Sequence, residues 1–369
     1  MNTYDIPFTG IARQYKDLRD EILDASDRAY RNGQVLDGPY TQMFERQMAN
    51  RCMRQYAVAV NSGTQALVFA QLATARDKGA EKIMIPGISF VATLNSVIMA
   101  GNEPVYCDVD HNALLDIETI DYALDGNIDT VMYVNMFGNV LDYDRLLNVT
   151  KFFNEDVKII EDAAQSFGAT YNGIPSGKLG DVSILSFDPT KNLNSYGSGG
   201  MILTDDFDIY QFCLALRDNG KVLNHDFAGT NSKMSESDSA QMLVKLKYFD
   251  SWQRRRQEIA DFYVENLTNW VDVLLPNQGV DHAWHKFVIR TASRSAMQGM
   301  LASKGIETKI HYDTPLFEHA VGWDYVDYAK DILRGCTAHS KECLSLPIYP
   351  EMTDYEVEHV VENITAYLN

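Results

Sequence analysis

The sequence has 369 residues, of which 46% are hydrophobic, and its formal net charge is −19. This composition provides for a large core, in two domains or in one large domain with a smaller appendage. The acidity argues against nucleic acid and anionic membranes as partners, because such binding depends on clustered cations. A small anionic ligand stays compatible with this charge, because one phosphate needs only a few local donors.

The sequence also indicates a reducing compartment. No apolar run approaches the roughly 20 residues that cross a bilayer, and the first residues lack the basic-then-apolar layout of a signal peptide. We therefore expect a cytoplasmic protein with no membrane partner. The scattered cysteines are predicted to be buried thiols rather than disulfides or zinc ligands. They are Cys52, Cys107, Cys213, Cys336 and Cys343.

Short apolar runs alternate with amphipathic stretches over the first two thirds of the chain, which is typical of strands joined by crossover helices. Helices are predicted at 62–79 and 141–156. This succession predicts a mainly parallel sheet covered on both faces. The predicted strands are 56–60, 82–86, 104–109, 130–136, 157–162, 182–187 and 200–205.

The pattern changes after about residue 235. Residues 237–270 are predicted to form one long helix, charged on one face, that connects to a smaller α+β unit beginning near residue 275. We assign 1–250 to a large domain that includes the N-terminal segment, and 251–369 to the connecting helix and the smaller C-terminal domain. We expect the two parts to pack as one body.

The segment "NSGTQAL" follows the first predicted strand and opens a helix. In open α/β sheets, ligands bind beyond the carboxyl ends of the strands. Ser62, Gly63 and Thr64 therefore offer backbone N–H groups and hydroxyls for a phosphate at the positive end of a helix. The alternative is that Ser62 or Thr64 only caps the helix.

The strand at 157–162 ends in two acids, Glu161 and Asp162. Carboxylates at such a position are costly to bury unless they are paired, and a protonated ring nitrogen is one suitable partner. Gln165 follows Asp162 by three residues and faces the same ligand if the chain turns there. The alternatives are a helix cap at Asp162, or a metal site, which is disfavoured because neither His nor Cys stands nearby.

Lys191 follows the strand at 182–187 and precedes the glycine-rich run "GSGG". An isolated lysine is usually solvated. A desolvated lysine, by contrast, has a lowered pKa and is the standard nucleophile for carbonyl chemistry. A phosphate cradle, an acid for a ring nitrogen and a lysine for an aldehyde together indicate pyridoxal 5′-phosphate (PLP).

The same segments closely resemble the DegT/DnrJ/EryC1/StrS family of sugar aminotransferases, which are PLP enzymes of fold type I. The resemblance covers nearly the whole length, and it includes "NSGTQAL", "IIEDAAQSFGATYNG", "GDVSILSFDPTKNL" and "LSLPIYPEMTDYEVEHVV". It implies an α/β fold with a mainly parallel central sheet in a large domain and a smaller C-terminal α+β domain.

The resemblance also implies roles for individual residues. Lys191 matches the lysine that forms the Schiff base with PLP and moves protons, and Asp162 matches the acid that keeps the pyridine nitrogen protonated. Phe90 matches the aromatic residue that stacks on the ring, and Gln165 matches a residue near the ring oxygen. The phosphate contacts are expected at Ser62, Gly63, Thr64 and Ser186.

"GTNSKM" resembles a family segment whose asparagine, here Asn231, reaches the phosphate of the neighbouring subunit. The resemblance therefore implies an obligate homodimer with shared active sites. Asn135 and Asp188 depart from the common family pattern, and we expect them near the sugar end of the site. His311 and Tyr312 fall on the family's HY motif and are further expected substrate contacts.

Other polar residues are assigned more weakly. His282 and His285, in "HAWH", are interpreted as structural rather than as metal ligands. Arg217 and Arg294 fall on recurring family arginines, and they are either contacts for the substrate diphosphate or ordinary solvated charges.

The predicted reaction is a ping-pong amino transfer. L-glutamate converts PLP to pyridoxamine 5′-phosphate and leaves as 2-oxoglutarate, and a keto group of a nucleotide-linked deoxysugar is then aminated. One alternative is a PLP-dependent dehydratase of the same fold, which carries histidine in place of Lys191. Another is a non-catalytic regulator or scaffold, which intact Lys191, Asp162 and Gln165 disfavour. The loop "DPTKNLNSYGSGGM" is nearer to the variant seen with 3-keto sugars than to the 4-keto variant.

Overall fold

The computed structural model describes residues 4–75, 80–120, 128–325 and 332–369. The strands are β1 (Tyr56–Val60), β2 (Lys82–Pro86), β3 (Glu103–Cys107), β4 (Thr130–Val134), β5 (Lys158–Asp162), β6 (Thr170–Tyr171), β7 (Ile174–Pro175), β8 (Val182–Ser186), β9 (Gly200–Thr204), β10 (Asp272–Val273), β11 (Val280–Asp281), β12 (Phe287–Arg290) and β13 (Cys343–Leu346). The α-helices are α1 (Ile11–Arg31), α2 (Pro39–Arg51), α3 (Gly63–Ala75), α4 (Ala92–Met99), α5 (Tyr143–Phe153), α6 (Phe207–Arg217), α7 (Glu236–Leu246), α8 (Phe249–Leu267), α9 (Arg294–Ser303), α10 (Arg334–Glu342) and α11 (Asp354–Leu368). Short 3₁₀ turns lie at Met136–Gly138, Lys221–Leu223, Leu316–Glu318 and Ala320–Tyr325.

The central sheet has the strand order β1-β9-β8-β5-β4-β2-β3 over the described ranges. The pairs from β8 to β3 are parallel, whereas β9 runs antiparallel to both β8 and β1. The prediction of a mainly parallel sheet is therefore confirmed, with β9 as the strand of opposite direction. Because β9 is reversed, β1 and β8 point the same way and their carboxyl ends meet at one edge.

The register along that edge brings distant parts of the sequence together. Gly200 is aligned with Val60 on one side and with Ser186 on the other. Asp162 is aligned with Ile184 in the next strand. The residues that follow β1, β5 and β8 therefore open onto the same space, although they are far apart in the chain.

Both faces of the sheet are buried, as the continuous apolar strands predict. Successive residues of a strand point to opposite faces. In β5, Ile160 packs in a cluster with α3, whereas Ile159 packs in a cluster on the other face with Leu146 of α5. The sheet is therefore the middle layer of three.

Most of the predicted elements agree with the structure. The strands at 56–60 and 82–86 have the predicted bounds, and the other predicted strands differ by one or two residues. The helix predicted at 62–79 is α3, which is described from Gly63 to Ala75, and residues 76–79 lie outside the described ranges. The helix predicted at 141–156 is α5, and the side chain of Asp142 caps its first turn.

The prediction of a single long helix over 237–270 is wrong, because this segment forms α7 and α8 with a break at Lys247 and Tyr248. The two helices bury their apolar faces against different partners. Val244 of α7 packs with α1, whereas Ile259 of α8 packs in the C-terminal unit. A break lets each helix orient its apolar face towards its own cluster.

The C-terminal unit is built on a three-stranded sheet in the order β10-β12-β13. Residues of α8, α9 and α11 cover this sheet in one apolar cluster. Ile6 belongs to the same cluster and forms a parallel bridge with Ile306. The residues before α1 therefore pack on the smaller unit, whereas α1 itself packs with α7 of the large domain.

The five cysteines are buried and free, as predicted. Within the described ranges, no helix is both long enough and apolar enough to span a bilayer.

Candidate active site

A cavity of about 570 Å³ opens at the edge of the sheet where the carboxyl ends of β1, β5 and β8 meet. This is where open α/β sheets bind ligands. The sequence-predicted residues that line it are Ser62, Gly63, Thr64, Phe90, Asp162, Gln165, Ser186, Asp188, Lys191, His311 and Tyr312. The structure therefore brings together most of the expected site, and it leaves Asn135 and Asn231 outside this cavity.

The turn that is expected to bind phosphate is formed by the first residues of α3. A Cβ atom added at Gly63 would lie 2.8 Å from Cβ of Ser186, and one added at Gly200 would lie 2.3 Å from the carbonyl oxygen of Ser62. Only glycine fits at these positions. The first N–H groups of a helix have no intrahelical acceptor, so they are available to an anion.

Ser62 also caps α3, because its Oγ accepts a hydrogen bond from N–H of Gln65 at 3.1 Å. The capping alternative and the phosphate role are therefore compatible at this residue. Ser186 Oγ accepts from N–H of Asp188 at 3.3 Å, and its hydroxyl proton is free to face a ligand.

Asp162 is the buried acid of the cavity, with 4% of its surface exposed. Its carboxylate accepts from N–H of Ala164 at 3.0 Å and from Oγ1 of Thr93 at 3.5 Å. Burial raises the pKa of Asp162 to about 6, against the opposing effects of the Ala164 hydrogen bond and the charge of Lys191. Because few protein groups donate hydrogen bonds to it, this carboxylate is suited to accept a hydrogen bond from a protonated ring nitrogen.

Asn135 lies on the other face of β5, away from the sugar end of the site where we expected it. It is fully buried, its Nδ2 donates to Glu161 Oε1 at 2.9 Å, and its Oδ1 accepts from N–H of Leu141 at 3.0 Å. Its amide is therefore already satisfied. Asn135 holds Glu161 and the turn after β4, and in this conformation it has no access to a ligand.

Lys191 is held in a tight loop after β8. Its N–H donates to the carbonyl of Asp188 at 2.9 Å, and N–H of Ser195 donates to the carbonyl of Phe187 at 2.8 Å. The buried Lys245 fixes the same loop, because its Nζ donates to the carbonyl of Asn194 at 2.8 Å. Burial lowers the pKa of Lys191, against the charges of Asp162 and Asp188. A lowered pKa favours the neutral amine that attacks a carbonyl.

Gln165 and Tyr312 form one wall of the cavity. Gln165 Oε1 accepts from N–H of Phe137 at 3.1 Å, and its Nε2 lies 3.4 Å from the hydroxyl of Tyr312. Phe90 is 52% exposed, and its ring centroid is 6.0 Å from that of Tyr312. These rings offer a flat ligand an aromatic surface at the mouth of the cavity.

Asp188 and His311 line the cavity near its rim. The Asp188 carboxylate accepts from N–H of Thr190 at 3.0 Å and from its hydroxyl at 2.6 Å. His311 Nδ1 is 2.8 Å from Ser345 Oγ, and burial keeps the pKa of His311 well below its usual range. His311 is therefore neutral and can contact a substrate only as a hydrogen-bonding group.

The two arginines are bound elsewhere in the structure. Buried Arg217 donates to Glu45 at 2.7 Å and to Asp37 at 3.0 Å. Arg294 donates to the carbonyl of Ser340. Neither lines the cavity, so both serve as internal ties rather than as contacts for a diphosphate within the described chain.

His282 and His285 do not act together. His282 Nδ1 accepts from N–H of Trp284 at 2.9 Å, whereas His285 Nδ1 lies 3.2 Å from Oδ1 of Asn192. Over the described part of the chain, no three His, Cys, Asp or Glu side chains are grouped to hold a metal ion. The structural interpretation of these histidines agrees with their contacts.

Sequence reasoning overlooked Lys286, which lines the cavity while 93% buried. It lies directly before β12, between His285 and Phe287. Its sequence context carries no signal for burial, since lysine is the residue type least often buried without a partner. Only the three-dimensional arrangement identifies it.

The residues present fit PLP. The start of α3 and Ser186 suit its phosphate, Asp162 suits its pyridine nitrogen, and Lys191 suits its aldehyde. The close approach at Gly63 and Gly200 leaves the backbone N–H groups open, which a bulkier residue would prevent. The observed donors therefore match the three polar ends of this cofactor.

Comparisons with known proteins agree with PLP as the cofactor. The model of the DegT/DnrJ/EryC1/StrS aminotransferase family matches residues 16–365. The chain is 32% identical over 98% of its length to a dTDP-3-amino-3,6-dideoxy-alpha-D-galactopyranose transaminase of Aneurinibacillus thermoaerophilus, with 99% of that relative covered. It is 30% identical to a pleiotropic regulatory protein of Geobacillus stearothermophilus, with 98% of each chain covered.

Among solved structures, DesV of S. venezuelae, in complex with a ketimine intermediate, superimposes with a TM-score of 0.93 at 28% identity. The match covers 99% of this chain and 98% of DesV. A cofactor site of matching chemistry, a family match over almost the whole length and a shared fold lead to one conclusion. The chain belongs to the DegT/DnrJ/EryC1/StrS aminotransferase family, and it is a PLP-dependent enzyme of fold type I.

Proposed function

We propose that this enzyme transfers an amino group from L-glutamate to the keto group of a nucleotide-linked deoxysugar, as a cytoplasmic homodimer with shared active sites. The observation that carries the proposal is the presence of Lys191 and Asp162 in one cavity, with their pKa values shifted in opposite directions. A basic amine and an acid with free lone pairs are the two groups that PLP-dependent amino transfer requires.

When bound, PLP supplies an aldehyde that exchanges amines and a ring that withdraws electrons from the substrate carbon. The backbone N–H groups and hydroxyls at Ser62, Gly63, Thr64 and Ser186 hold its phosphate. Asp162 keeps a proton on the ring nitrogen, because an ionised carboxylate favours a neighbouring positive charge. Gln165 and Phe90 fix the plane of the ring.

Lys191 is the proton carrier. Its Nζ, whose neutral form is favoured because burial lowers the pKa of Lys191, removes a proton from Cα of the amino donor in the first half-reaction. In the second half-reaction it returns a proton to the carbon that bears the sugar's new amine. The loop fixed by Lys245 and Asn194 holds this amine in the same place for both steps.

Two observations favour a 3-keto sugar as acceptor. The loop at 188–201 resembles the variant seen with 3-keto sugars, and the relative from A. thermoaerophilus is named for a 3-amino sugar. His311, Tyr312 and Asp188 line the cavity, which supports them as sugar contacts. The deciding experiment is amination of dTDP- or UDP-linked 3-keto and 4-keto 6-deoxyhexoses with glutamate, followed by mass spectrometry.

We expect amination of the 3-keto sugar. Rapid turnover of a free α-keto acid with no amination of either sugar class would show that the enzyme is an amino-acid transaminase instead. One relative is named a pleiotropic regulatory protein, so a regulatory role is the second candidate function. A purified protein that lacks the visible absorbance of lysine-bound PLP, even after incubation with the cofactor, would favour that regulator.

The shared-site part of the proposal depends on Asn231. This residue is exposed and bridges to Asp218, and it lies outside the cavity formed by its own chain. An exposed asparagine that is remote from its own cavity is available to a neighbouring subunit. The five buried free thiols support the cytoplasmic assignment, because they suit a reducing compartment.

A further inference from the structure

Lys286 is a buried lysine that lines the cavity, and it has no anionic partner among the described residues. Only 7% of its surface is exposed, and its Nζ lies 4.7 Å from the centroid of the Phe8 ring. Its backbone N–H donates to the carbonyl of Phe137 at 3.0 Å, which fixes the start of the side chain. Within the described ranges, no hydrogen-bond acceptor and no carboxylate contacts its Nζ.

The acids near the rim of the cavity are already engaged. Glu307 forms an ion pair with Lys309 at 2.7 Å and also accepts from N–H of Phe8 at 2.9 Å. Asp188 accepts both hydrogen bonds from Thr190. Asp162 is assigned to the cofactor. Within the described ranges none of these acids contacts Nζ of Lys286, and Asp188 acts on it only from a distance.

The surroundings of Lys286 are positively charged. Burial lowers the pKa of Lys286 to about 7, and the charges of Lys191 and Arg256 act in the same direction, whereas Asp188 opposes them. His285 and His311 are close enough to interact, but burial keeps both neutral because their pKa values lie well below the usual range. An unpaired ammonium is costly to bury. A ligand that brings one negative charge would remove this cost.

We propose that Lys286 is a binding subsite for a single carboxylate group of a substrate, backed by the ring of Phe8. The proposal rests on the proposed function, because it takes the cavity to be the site of amino transfer. One ammonium balances one carboxylate. The phosphate of PLP has its own donors at the other end of the cavity, at the start of α3.

The carboxylate has two sources in a ping-pong reaction. It belongs either to the amino donor, which carries a carboxylate on the reacting carbon, or to an acidic sugar acceptor. Both substrates enter the same cavity in turn. The chemistry at Lys286 is the same in either case, and two separate binding measurements distinguish the sources.

The pKa of Lys286 adds a pH signature to the proposal. Near neutral pH the free side chain is partly deprotonated, whereas a bound carboxylate requires the ammonium form. Carboxylate binding should therefore be accompanied by proton uptake, and the affinity should fall as the pH rises above about 7. The other titratable groups that line the same cavity are present in every variant below, and they are Asp162, Asp188, Lys191, His285, Glu307, Lys309, His311 and Tyr312. Arg256 lines an adjoining cavity together with Lys286 and is also unchanged.

The experiment compares Lys286→Met, Lys286→Arg and a surface control, Lys304→Met, which changes the net charge equally at an exposed position. Each PLP-loaded enzyme is titrated calorimetrically with three unreactive probes. Glutarate represents the amino donor, UDP-glucuronate represents an acidic acceptor, and UDP-glucose differs from the second only by lacking the carboxylate. Two buffers of different ionisation enthalpy report proton uptake.

We expect Lys286→Met to weaken the binding of glutarate or of UDP-glucuronate by about tenfold or more, because a buried hydrogen bond to a charged group is lost. The probe that weakens identifies the source. The affinity of Lys286→Met for UDP-glucose should change by less than about twofold. Lys286→Arg should retain most of the affinity for the carboxylates, and Lys304→Met should bind every probe as the parent enzyme does.

Equal weakening of UDP-glucose would overturn the proposal, because Lys286 would then serve the diphosphate. Unchanged affinity for both carboxylates would overturn it as well. These measurements need no amino transfer, so their failure is distinct from a failure to aminate keto sugars. Thermal unfolding of each variant checks that the fold is retained.

Discussion

The two faces of β5 carry adjacent carboxylates in opposite situations. Glu161 accepts hydrogen bonds from two backbone N–H groups, from two serine hydroxyls and from one amide. These donors are Gly177, Leu179, Ser176, Ser183 and Asn135, at 2.7–3.0 Å. Asp162, on the cavity face, accepts one hydrogen bond at 3.0 Å and a longer one at 3.5 Å. Of these neighbouring acids, Glu161 is satisfied by the protein, whereas Asp162 is left available to a ligand.

The difference lies in how much of each carboxylate the protein itself satisfies. Burial raises the pKa of both acids, and at Glu161 the hydrogen bonds from Ser183, Gly177 and Ser176 and the charge of Arg54 oppose that effect. At Asp162 the remaining lone pairs face the cavity. A buried acid whose hydrogen bonds are incomplete is the one to suspect of a catalytic role.

The largest effect is expected for Lys191→Ala on the cavity face. Without the amine that carries the proton, turnover should fall by roughly 10⁴, the upper range for loss of a general acid–base group. The fold should be retained, because no hydrogen bond or ion pair of the described chain involves the side chain of Lys191. Steady-state rates and the visible spectrum measure the effect, and near-normal activity would contradict the assignment.

The next largest effect is expected from the matched substitutions Asp162→Asn and Glu161→Gln, which compare the two faces of β5 directly. Asp162→Asn should lower kcat by about 10² to 10³, because a neutral amide does not hold the ring nitrogen protonated. PLP should still bind through Lys191. Glu161→Gln should leave kcat per folded molecule within about twofold, because Glu161 faces away from the cavity. Equal kinetic losses in both variants would remove the distinction between the two faces.

The same pair should respond in opposite directions when the cofactor-free protein is unfolded by denaturant. Glu161→Gln should lower the free energy of unfolding by about 3 kcal/mol, because its new NH₂ group would face N–H donors. Asp162→Asn should raise it by up to about 3 kcal/mol at pH 7, since the folded pKa of about 6 exceeds the ordinary 3.8.

The pH dependence of this second change has a defined sign. Folded Asp162 holds its proton to higher pH than the unfolded chain does, so its ionisation destabilises the fold as the pH rises from about 4 to 6. The advantage of Asp162→Asn should therefore vanish below about pH 4 and be complete above about pH 6. A pH-independent difference would contradict this account.

The smallest effect is expected for Asn231→Ala, which lies outside both faces of β5. If a neighbouring subunit uses this amide, PLP retention should weaken several-fold, as for one lost hydrogen bond. Mixing this variant with Lys191→Ala should produce hybrid dimers with one site intact at both positions, and that site should retain PLP as firmly as the parent enzyme does. Sedimentation of an active monomer would rule out the shared site.

Strand positions were predictable because buried strands read as short, continuous apolar runs, as in β1 and β2. Direction was not predictable, since the apolar run of β9 is the same whether its neighbours are parallel or antiparallel. The break at Lys247 and Tyr248 was missed for a related reason. An amphipathic pattern shows that a helix buries one face, but not that α7 and α8 bury theirs against different clusters.

Asp162 and Lys191 were predictable because polar residues that end apolar strands have few structural explanations. The role of Asn135 was not predictable, because its position after β4 does not show on which face of the sheet its side chain lies. It turned out to satisfy Glu161 rather than to meet a ligand. Lys286 gave no signal because its burial depends on contacts with Phe8 and Phe137, which are remote in sequence.

The placement of β9 between β1 and β8 has a consequence for how the chain folds during synthesis. In the described sheet, β9 is the only neighbour of β1, so the turn at Ser62 and Gly63 cannot be completed until Gly200 has been made. At roughly 5–20 residues per second on the ribosome, β1 waits on the order of ten seconds with an unpaired edge. Such non-local pairing slows folding and exposes an aggregation-prone strand, so a chaperone that covers the nascent chain should raise the yield of native enzyme.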